Sequence, residues 1–137
     1  MVSVKINVKP VIQELRRIQG AVSNFAGLFQ KLRYEFLIKR INEIFSSNGK
    51  GTWLPTKRTN PILRDTLRLM RSYTQAGAPG NINLETETKL TWGTDVFYAQ
   101  FHEYGTSRLP ARQVLGLLDT SEIQKIAYEW VEEIINA

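Results

Sequence analysis

The sequence contains no cysteine and a single histidine, His102. The absence of cysteine excludes disulfides, thiol catalysis, iron–sulfur clusters and thiolate zinc sites. One histidine leaves no pair of imidazoles for a metal site and offers one base at most for nucleophilic catalysis. The range of chemistry open to this chain is therefore narrow.

Long hydrophobic runs are missing as well. The first residues contain no apolar stretch of signal-peptide length, and no later segment approaches roughly 18 uninterrupted apolar residues. We therefore expect a protein without a membrane span that is made and kept in the cytoplasm, unless it leaves inside a larger particle.

Acidic residues are few in the first half of the chain. Residues 1–72 carry 14 Lys and Arg against 4 Asp and Glu, a net charge of +10, whereas residues 73–137 carry 4 against 9, a net charge of −5. Halves of opposite sign indicate either a basic binding surface or head-to-tail packing between copies. The 137-residue length and the 42% hydrophobic content are those of one ordinary globular domain, 1–137.

Hydrophobic periodicity predicts one strand and two helices at the start of the chain. Residues 2–8 alternate apolar and polar side chains, as a half-buried strand does. Pro10 is typical of a first helical turn, so we expect a short helix to about residue 19. A longer helix is expected over about 23–46. Its apolar stripe consists of Phe25, Leu28, Phe29, Leu32, Phe36, Leu37, Ile41, Ile44 and Phe45.

The second half predicts a small sheet followed by a helix. Residues 82–92 alternate and suit a pair of strands with a turn near 86–88. A short helix over 96–104 is expected to end at Gly105, and 112–117 is predicted to be a final strand. The C-terminal helix is predicted to bury Ile123, Ile126, Ala127, Trp130 and Ile134.

Asp119 followed by Glu122 resembles a capping box at the start of that C-terminal helix. Together these elements predict an α+β fold in a single domain. The long helix and the C-terminal helix pack on a small, mostly antiparallel sheet.

Basic side chains recur at helical spacing in two places. On the long helix, Lys31, Arg33, Lys39 and Arg40 form a face that is either solvated or a binding surface. Arg64, Arg68 and Arg71 would share one side of a short helix over 62–73 in which Leu63, Leu67 and Met70 are buried, with Lys57 and Arg58 just upstream. Such a stripe could contact nucleic-acid phosphates, although arginines of a protein interface have the same spacing.

Motifs for catalysis or cofactor binding are absent. A nucleophile–base–acid set would have to use His102 with Ser107 or Asp95, and nothing in the spacing fixes that geometry. The segments 49–52 and 77–80 fail the phosphate-loop and dinucleotide-binding patterns, respectively. We expect no enzyme activity, no cofactor and no metal site, and we interpret His102 as structural.

Two segments, taken together, resemble a known family. The first runs from Gly51-Thr52-Trp53-Leu54-Pro55 to a helix that ends near Ser72. The second contains Trp92-Gly93-Thr94, then Tyr98-Ala99-Gln100-Phe101-His102-Glu103-Tyr104-Gly105, then Leu109-Pro110-Ala111-Arg112 and Leu115-Gly116-Leu117. In this order they resemble the phage virion morphogenesis family, the Mu-like tail completion proteins of tailed bacteriophages. Two positions depart from that pattern: Leu67 stands where many relatives have a glycine, and Gln113-Val114 replaces an aromatic pair.

The resemblance implies a structural, non-enzymatic virion protein at the head–tail junction or the head-proximal tail end. Such proteins are tail completion, terminator or neck proteins and form rings, generally six-fold, through which DNA passes. The implied partners are further copies, other neck or tail proteins and, non-specifically, DNA in the bore. Opposite charge on the two halves suits head-to-tail contacts, with acidic residues 122–133 facing a neighbour's arginines. The alternative is a small cytoplasmic nucleic-acid-binding protein that uses the basic half.

Two sets of residues follow from this interpretation. The predicted contacts with subunits or partners lie in the 48–61 loop, the 64–72 helix and the 105–112 loop: Trp53, Arg58, Arg64, Arg68, Arg71, Arg108 and Arg112. For Trp53, anchoring in the core is the favoured interpretation. The predicted structural residues of the motifs are Pro55, Tyr98, His102, Gly105 and Pro110.

Overall fold

A computed structural model describes residues 2–10, 25–54 and 67–135. The predicted helix up to residue 19 lies outside these residues, as do Pro55, Arg58, Arg64 and the side chain of Ile134. The described elements are β1 (Val2–Asn7), α1 (Ala26–Lys31), a π-helical segment (Leu32–Ile38), α2 (Lys39–Ser46), α3 (Arg68–Thr74), β2 (Asn81–Glu85), β3 (Lys89–Thr94), α4 (Ala99–Tyr104), a 3-10 turn (Leu115–Leu117) and α5 (Ser121–Ile135). They confirm the α+β prediction.

The three strands form one antiparallel sheet with β3 in the centre, flanked by β1 and β2. Alternation in β3 turns Leu90 and Trp92 into the core, where the Trp92 indole donates a hydrogen bond to the Tyr73 carbonyl oxygen at 2.8 Å. Gly93 is required by close packing, because a Cβ there would lie 2.1 Å from the Val2 carbonyl oxygen of the neighbouring strand. The sheet therefore depends on a close approach of β1 to β3.

The long helix is continuous through α1, the π-helical segment and α2. Its predicted apolar stripe is confirmed, because every member from Phe25 to Phe45 is buried. Helix α5 packs beside it, with the Trp130 ring 6.0 Å from that of Phe25. The core therefore lies between the sheet and these two helices.

The start of α5 confirms part of the capping prediction. Asp119 accepts hydrogen bonds from the amide and the hydroxyl of Ser121, which lower the pKa of its carboxyl. Glu122 does not complete a capping box, since its carboxylate accepts a hydrogen bond from Arg40 Nε at 2.8 Å. No helix in the described part of the chain has the length and apolar content needed to cross a membrane.

One predicted element is wrong and another is only partly right. The strand predicted over 112–117 is absent: Leu115–Leu117 form a turn of 3-10 helix, and the amides of Val114 and Leu115 bond to a side chain instead of a neighbouring strand. Of the helix predicted over 62–73, residues 68–73 are helical and belong to α3, Leu67 before them has a left-handed φ of +61°, and residues 62–66 lie outside the described residues. Leu67 is exposed rather than buried, and the buried leucine is Leu69.

We predict that Leu67→Gly stabilises the fold by about 0.5–1 kcal/mol. The left-handed conformation costs an L-residue roughly 1–2 kcal/mol, which glycine avoids while losing about 0.5–1 kcal/mol of chain entropy. Urea denaturation measures the difference. Arg71→Gly, at an exposed position inside α3 with ordinary helical geometry, is the matched control and should destabilise by about 1 kcal/mol. Destabilisation by both changes would contradict the strain assigned to Leu67.

Candidate protein-interaction surface

Helix α4 turns its aromatic side chains towards solvent. Phe97, Phe101 and Tyr104 follow one another at i, i+4 and i+7, so they share one side of the helix and its preceding turn. Phe97 is 72% exposed and Tyr104 is 71% exposed, and Phe101 is also exposed. The ring of Phe97 packs edge-on against that of Phe101 at 6.1 Å. We call these three residues the aromatic ridge.

The opposite side of α4 is buried and holds a carboxylate. Ala99 and Glu103 point into the protein, and Glu103 is only 5% exposed. Its carboxylate accepts hydrogen bonds from the amides of Val114 at 2.9 Å, Leu115 at 2.7 Å and Gly116 at 3.4 Å. Burial raises the pKa of Glu103, and these three bonds offset part of that rise.

This polarity is the reverse of that of an ordinary surface helix, which buries apolar residues and exposes charge. The Glu103 bonds anchor α4 and segment 114–116 to each other. The ridge cannot turn inward without removing Glu103 from its three donors. Exposed aromatic side chains on a rigid element are typical of protein–protein contact sites.

The loop after α4 is also held in place by hydrogen bonds. Gly105 has a positive φ of +73° with an extended ψ of 171°, so the predicted glycine-specific turn is present but is not left-handed helical. A Cβ at Gly105 would lie 2.9 Å from the Ala111 amide nitrogen. The Thr106 hydroxyl accepts bonds from the amides of Arg108 and Leu109, and both of these side chains are exposed. Arg108 therefore lies where a partner could reach it.

Trp53 and Arg112 join this region to the loop after the long helix. The buried Trp53 indole donates a hydrogen bond to the Gln113 carbonyl oxygen at 2.7 Å, and its ring packs edge-on against Phe45 at 5.5 Å. Arg112 is buried, and its Nε donates to the Leu54 carbonyl oxygen at 3.0 Å. Both side chains contact their own chain here, as anchoring in the core requires for Trp53. Their roles at a subunit interface stay predictions.

His102 is half-buried, with the Tyr98 ring edge-on against it at 6.1 Å. Its carbonyl oxygen accepts the Arg112 amide at 2.6 Å, while its buried Nδ1 has no hydrogen-bond partner among the described residues. Burial, and secondarily the positive charge of Arg112, lower its pKa. The described residues contain no group of three His, Asp or Glu side chains placed to hold a metal ion. Pro110, half-buried, lies two residues before Arg112 in the same loop.

The basic face of the long helix is largely neutralised within the chain. Lys31 pairs with Glu133 at 2.6 Å, Arg33 with Glu85 at 2.6 Å, and Arg40 with Glu122 at 2.8 Å. Two carboxylates of the C-terminal helix predicted to face a neighbour's arginines, Glu122 and Glu133, are thus bound to their own chain. Arg68 and Arg71 are exposed on α3.

Sequence reasoning did not identify the ridge. Aromatic residues are core candidates by hydrophobicity, and the sequence pattern predicts for 96–104 only a short helix that ends at Gly105. The signal was nevertheless present: the aromatic stripe at Phe97, Phe101 and Tyr104 lies opposite the stripe of Ala99 and Glu103. Only the structure shows which of these two stripes is buried.

We predict that His102 makes the fold less stable in acid. Because the pKa of His102 is lowered in the folded state, the unfolded chain binds more protons than the folded chain below about pH 6.5. The free energy of unfolding therefore decreases as the pH is lowered from about 6.5. Urea denaturation at pH 7.5 and at pH 5 measures the loss. The variant His102→Gln should lose less stability over the same interval. An equal loss in both proteins would show that His102 does not titrate as described.

Comparisons of this chain with protein-family models, with curated proteins and with solved structures find no match.

Proposed function

We propose that the protein is a structural subunit of a tailed phage particle, at the head–tail junction or the head-proximal tail end. It acts as a tail completion, terminator or neck protein and catalyses no reaction. Copies assemble in the host cytoplasm into a ring, hexameric by analogy with the family resemblance, through which DNA passes. The observation that carries this proposal is the aromatic ridge of Phe97, Phe101 and Tyr104.

The contact residues of an assembly subunit bind most tightly when they are already ordered in the free subunit, because ordering them on binding costs free energy and weakens affinity. The ridge meets this condition, since α4 is fixed by the three bonds of Glu103. The loop carrying Arg108 is fixed next to it by Thr106. A further support is Leu67, whose left-handed conformation is one that a glycine, the residue found there in the family pattern, adopts without strain.

A nucleic-acid-binding protein is the second candidate, because Arg68 and Arg71 are exposed on α3. Against it, Lys31, Arg33 and Arg40 of the long helix are engaged by carboxylates of the same chain. Paired cations release fewer counterions from DNA and contribute less to affinity than unpaired ones. Contact between subunits is therefore better supported as the function than DNA binding.

Replacing two ridge residues, Phe97→Ser with Tyr104→Ser, should abolish self-association without unfolding the protein. Aromatic anchors contribute about 2 kcal/mol or more each at interfaces, roughly thirtyfold in affinity per ring. Both side chains are more than two-thirds exposed, so the free energy of unfolding should change by no more than about 0.5 kcal/mol. Native mass spectrometry over a concentration series measures assembly, and urea denaturation measures stability.

Tyr34→Ser is the matched control, because Tyr34 is 51% exposed and lies outside the ridge and outside the predicted contact loops. It should assemble like the unaltered protein. The proposal fails if the unaltered protein stays monomeric at every concentration, or if the ridge variant assembles as well as the control.

Binding to random DNA separates the two candidates. A nucleic-acid-binding protein would bind it in a salt-dependent way, lose that binding in Arg68→Ala/Arg71→Ala and keep it in the ridge variant. That pattern in a protein that remains monomeric would replace our proposal with the alternative.

A further inference from the structure

The sheet has two outer edges, and the hydrogen-bond register identifies the backbone groups on each. The Val8 amide donates to the Thr88 carbonyl oxygen, which continues the register of β1 with β3. Because bonded and non-bonded pairs alternate between antiparallel strands, Val2, Val4 and Ile6 bond to β3. Ser3, Lys5 and Asn7 then direct their amides and carbonyls away from the sheet.

The same reasoning applies to the other edge. The Thr86 amide donates to the Lys89 carbonyl oxygen, in register with β2 and β3. Ile82 and Leu84 therefore bond to β3, and Asn83 and Glu85 direct their backbone groups outward, whereas the Asn81 amide donates to the Ala78 carbonyl oxygen at 2.9 Å. Within the described residues neither β1 nor β2 has a further strand beside it, and an edge strand can accept another strand.

A groove of about 350 Å³ runs along the β1 edge from Val2 to Lys5. Its other side is formed by Tyr104 of the ridge, Gln113, Leu115 and Gly116, that is, by the segment that Glu103 holds. Ser3 and Lys5, whose amides point away from β3, are among the residues that line this groove. It is thus a preformed place beside β1 where an extended segment would also contact the ridge.

The two edges carry opposite charge. Residues 2–9 contain Lys5 and Lys9, both exposed, and no acidic residue. Residues 81–88 contain Glu85 and Glu87 and no basic residue. Pairing of two β1 edges would bring lysines together, and pairing of two β2 edges would bring glutamates together, whereas unlike edges attract.

Strand direction and side-chain parity permit the unlike pairing. Both β1 and β2 run antiparallel to β3, so they are parallel to each other. If a neighbouring copy is related by rotation about an axis along the strands, its β2 meets β1 in parallel. In a parallel pair, a residue whose backbone groups point towards the other strand lies opposite a residue whose backbone groups point away from it. Lys5 would therefore lie opposite an even-numbered residue of β2, such as Leu84, and the side chains of Lys5 and Leu84 are on the same face of the sheet. The helices of all copies then stay on one side.

We propose that β1 of one copy pairs in parallel with β2 of the next, which extends one sheet through successive subunits. This inference rests on the proposed self-association and names the surfaces that meet. The contact is heterologous, because it joins two different edges, and a heterologous contact is the kind that closes into a ring. The ridge lies beside the groove and adds apolar contact to the backbone bonds.

A proline at Ser3 tests the pairing at a single backbone group. Ser3→Pro removes an amide that points away from β3, so the folded subunit should melt within a few degrees of the unaltered protein. The dissociation constant of the assembly should rise at least tenfold. Val4→Pro is the matched control: it removes an amide bonded to β3 and should lower the melting temperature markedly.

A charge exchange tests the choice of edges. Lys5→Glu/Lys9→Glu should not assemble, because both of its edges are then acidic. Adding Glu87→Lys should restore assembly, since the two edges are again opposite in sign. Glu85 is left unchanged because it pairs with Arg33. Sedimentation velocity and native mass spectrometry measure all variants.

The outcomes distinguish this inference from the proposed function. If the unaltered protein never assembles, the proposed function fails and this inference fails with it. If it assembles and Ser3→Pro assembles equally well, the ring stands and the edge pairing is wrong. If Lys5→Glu/Lys9→Glu assembles more readily than the unaltered protein, the lysines protect the edge against pairing, which also overturns the inference.

Discussion

The buried carboxylate of Glu103 determines which way α4 faces. Burying a carboxylate in a protein interior costs several kcal/mol unless donors satisfy it, and here three backbone amides do so. These amides belong to a segment that forms neither a strand nor a long helix. The amides therefore need an acceptor, which Glu103 provides, and the Glu103 carboxylate needs donors, which the amides provide. With Glu103 turned inward, Phe97, Phe101 and Tyr104 necessarily face solvent on the opposite side.

The rest of the fold gives this arrangement a rigid base. The long helix fills the core against the sheet, and Trp53 and Arg112 bind the loop after it to the segment that Glu103 holds. Segment 112–116 is thus held from two directions, by side chains from distant parts of the sequence. The ion pairs of Lys31, Arg33 and Arg40 use most of the positive charge on the long helix within the subunit. The contrast between the charged halves of the sequence is therefore partly an internal one.

Local pattern predicted the elements whose structure is determined locally. The stripe from Phe25 to Phe45 and the alternation in 82–92 were sufficient for the long helix and the β2–β3 pair. Segment 112–117 was predicted as a strand because its apolar residues suit one, but its amides bond to Glu103, about ten residues away in sequence. The left-handed φ of Leu67 was not predicted either, since leucine favours helices and rarely adopts a positive φ.

The candidate site was only partly predictable for the same reason. Residues of the motifs, such as Gly105 and Trp53, are recognisable from spacing and from the resemblance. Gly105 directly follows Tyr104 of the ridge, and Trp53 donates a hydrogen bond to Gln113, next to the segment that Glu103 holds. The ridge itself is not recognisable in this way, because hydrophobicity alone assigns aromatic side chains to the interior. Glu103 and the three aromatic rings lie on opposite sides of α4, so only one of these sides can face the interior. The side with Glu103 is buried because three backbone amides donate hydrogen bonds to its carboxylate.

The absence of cysteine permits a direct measurement on the ridge. Gln100 is exposed and lies between Phe97 and Phe101 along the chain, so Gln100→Cys can carry a single nitroxide label there, with Ala76→Cys, also exposed, as a reference site. The electron paramagnetic resonance spectrum of each label is recorded as the protein concentration rises and the mass of the assembly is followed. If the ridge is the contact surface, the label at position 100 becomes immobilised as assemblies form and the label at position 76 does not. An assembly that grows while the label at position 100 keeps its mobility would contradict this account.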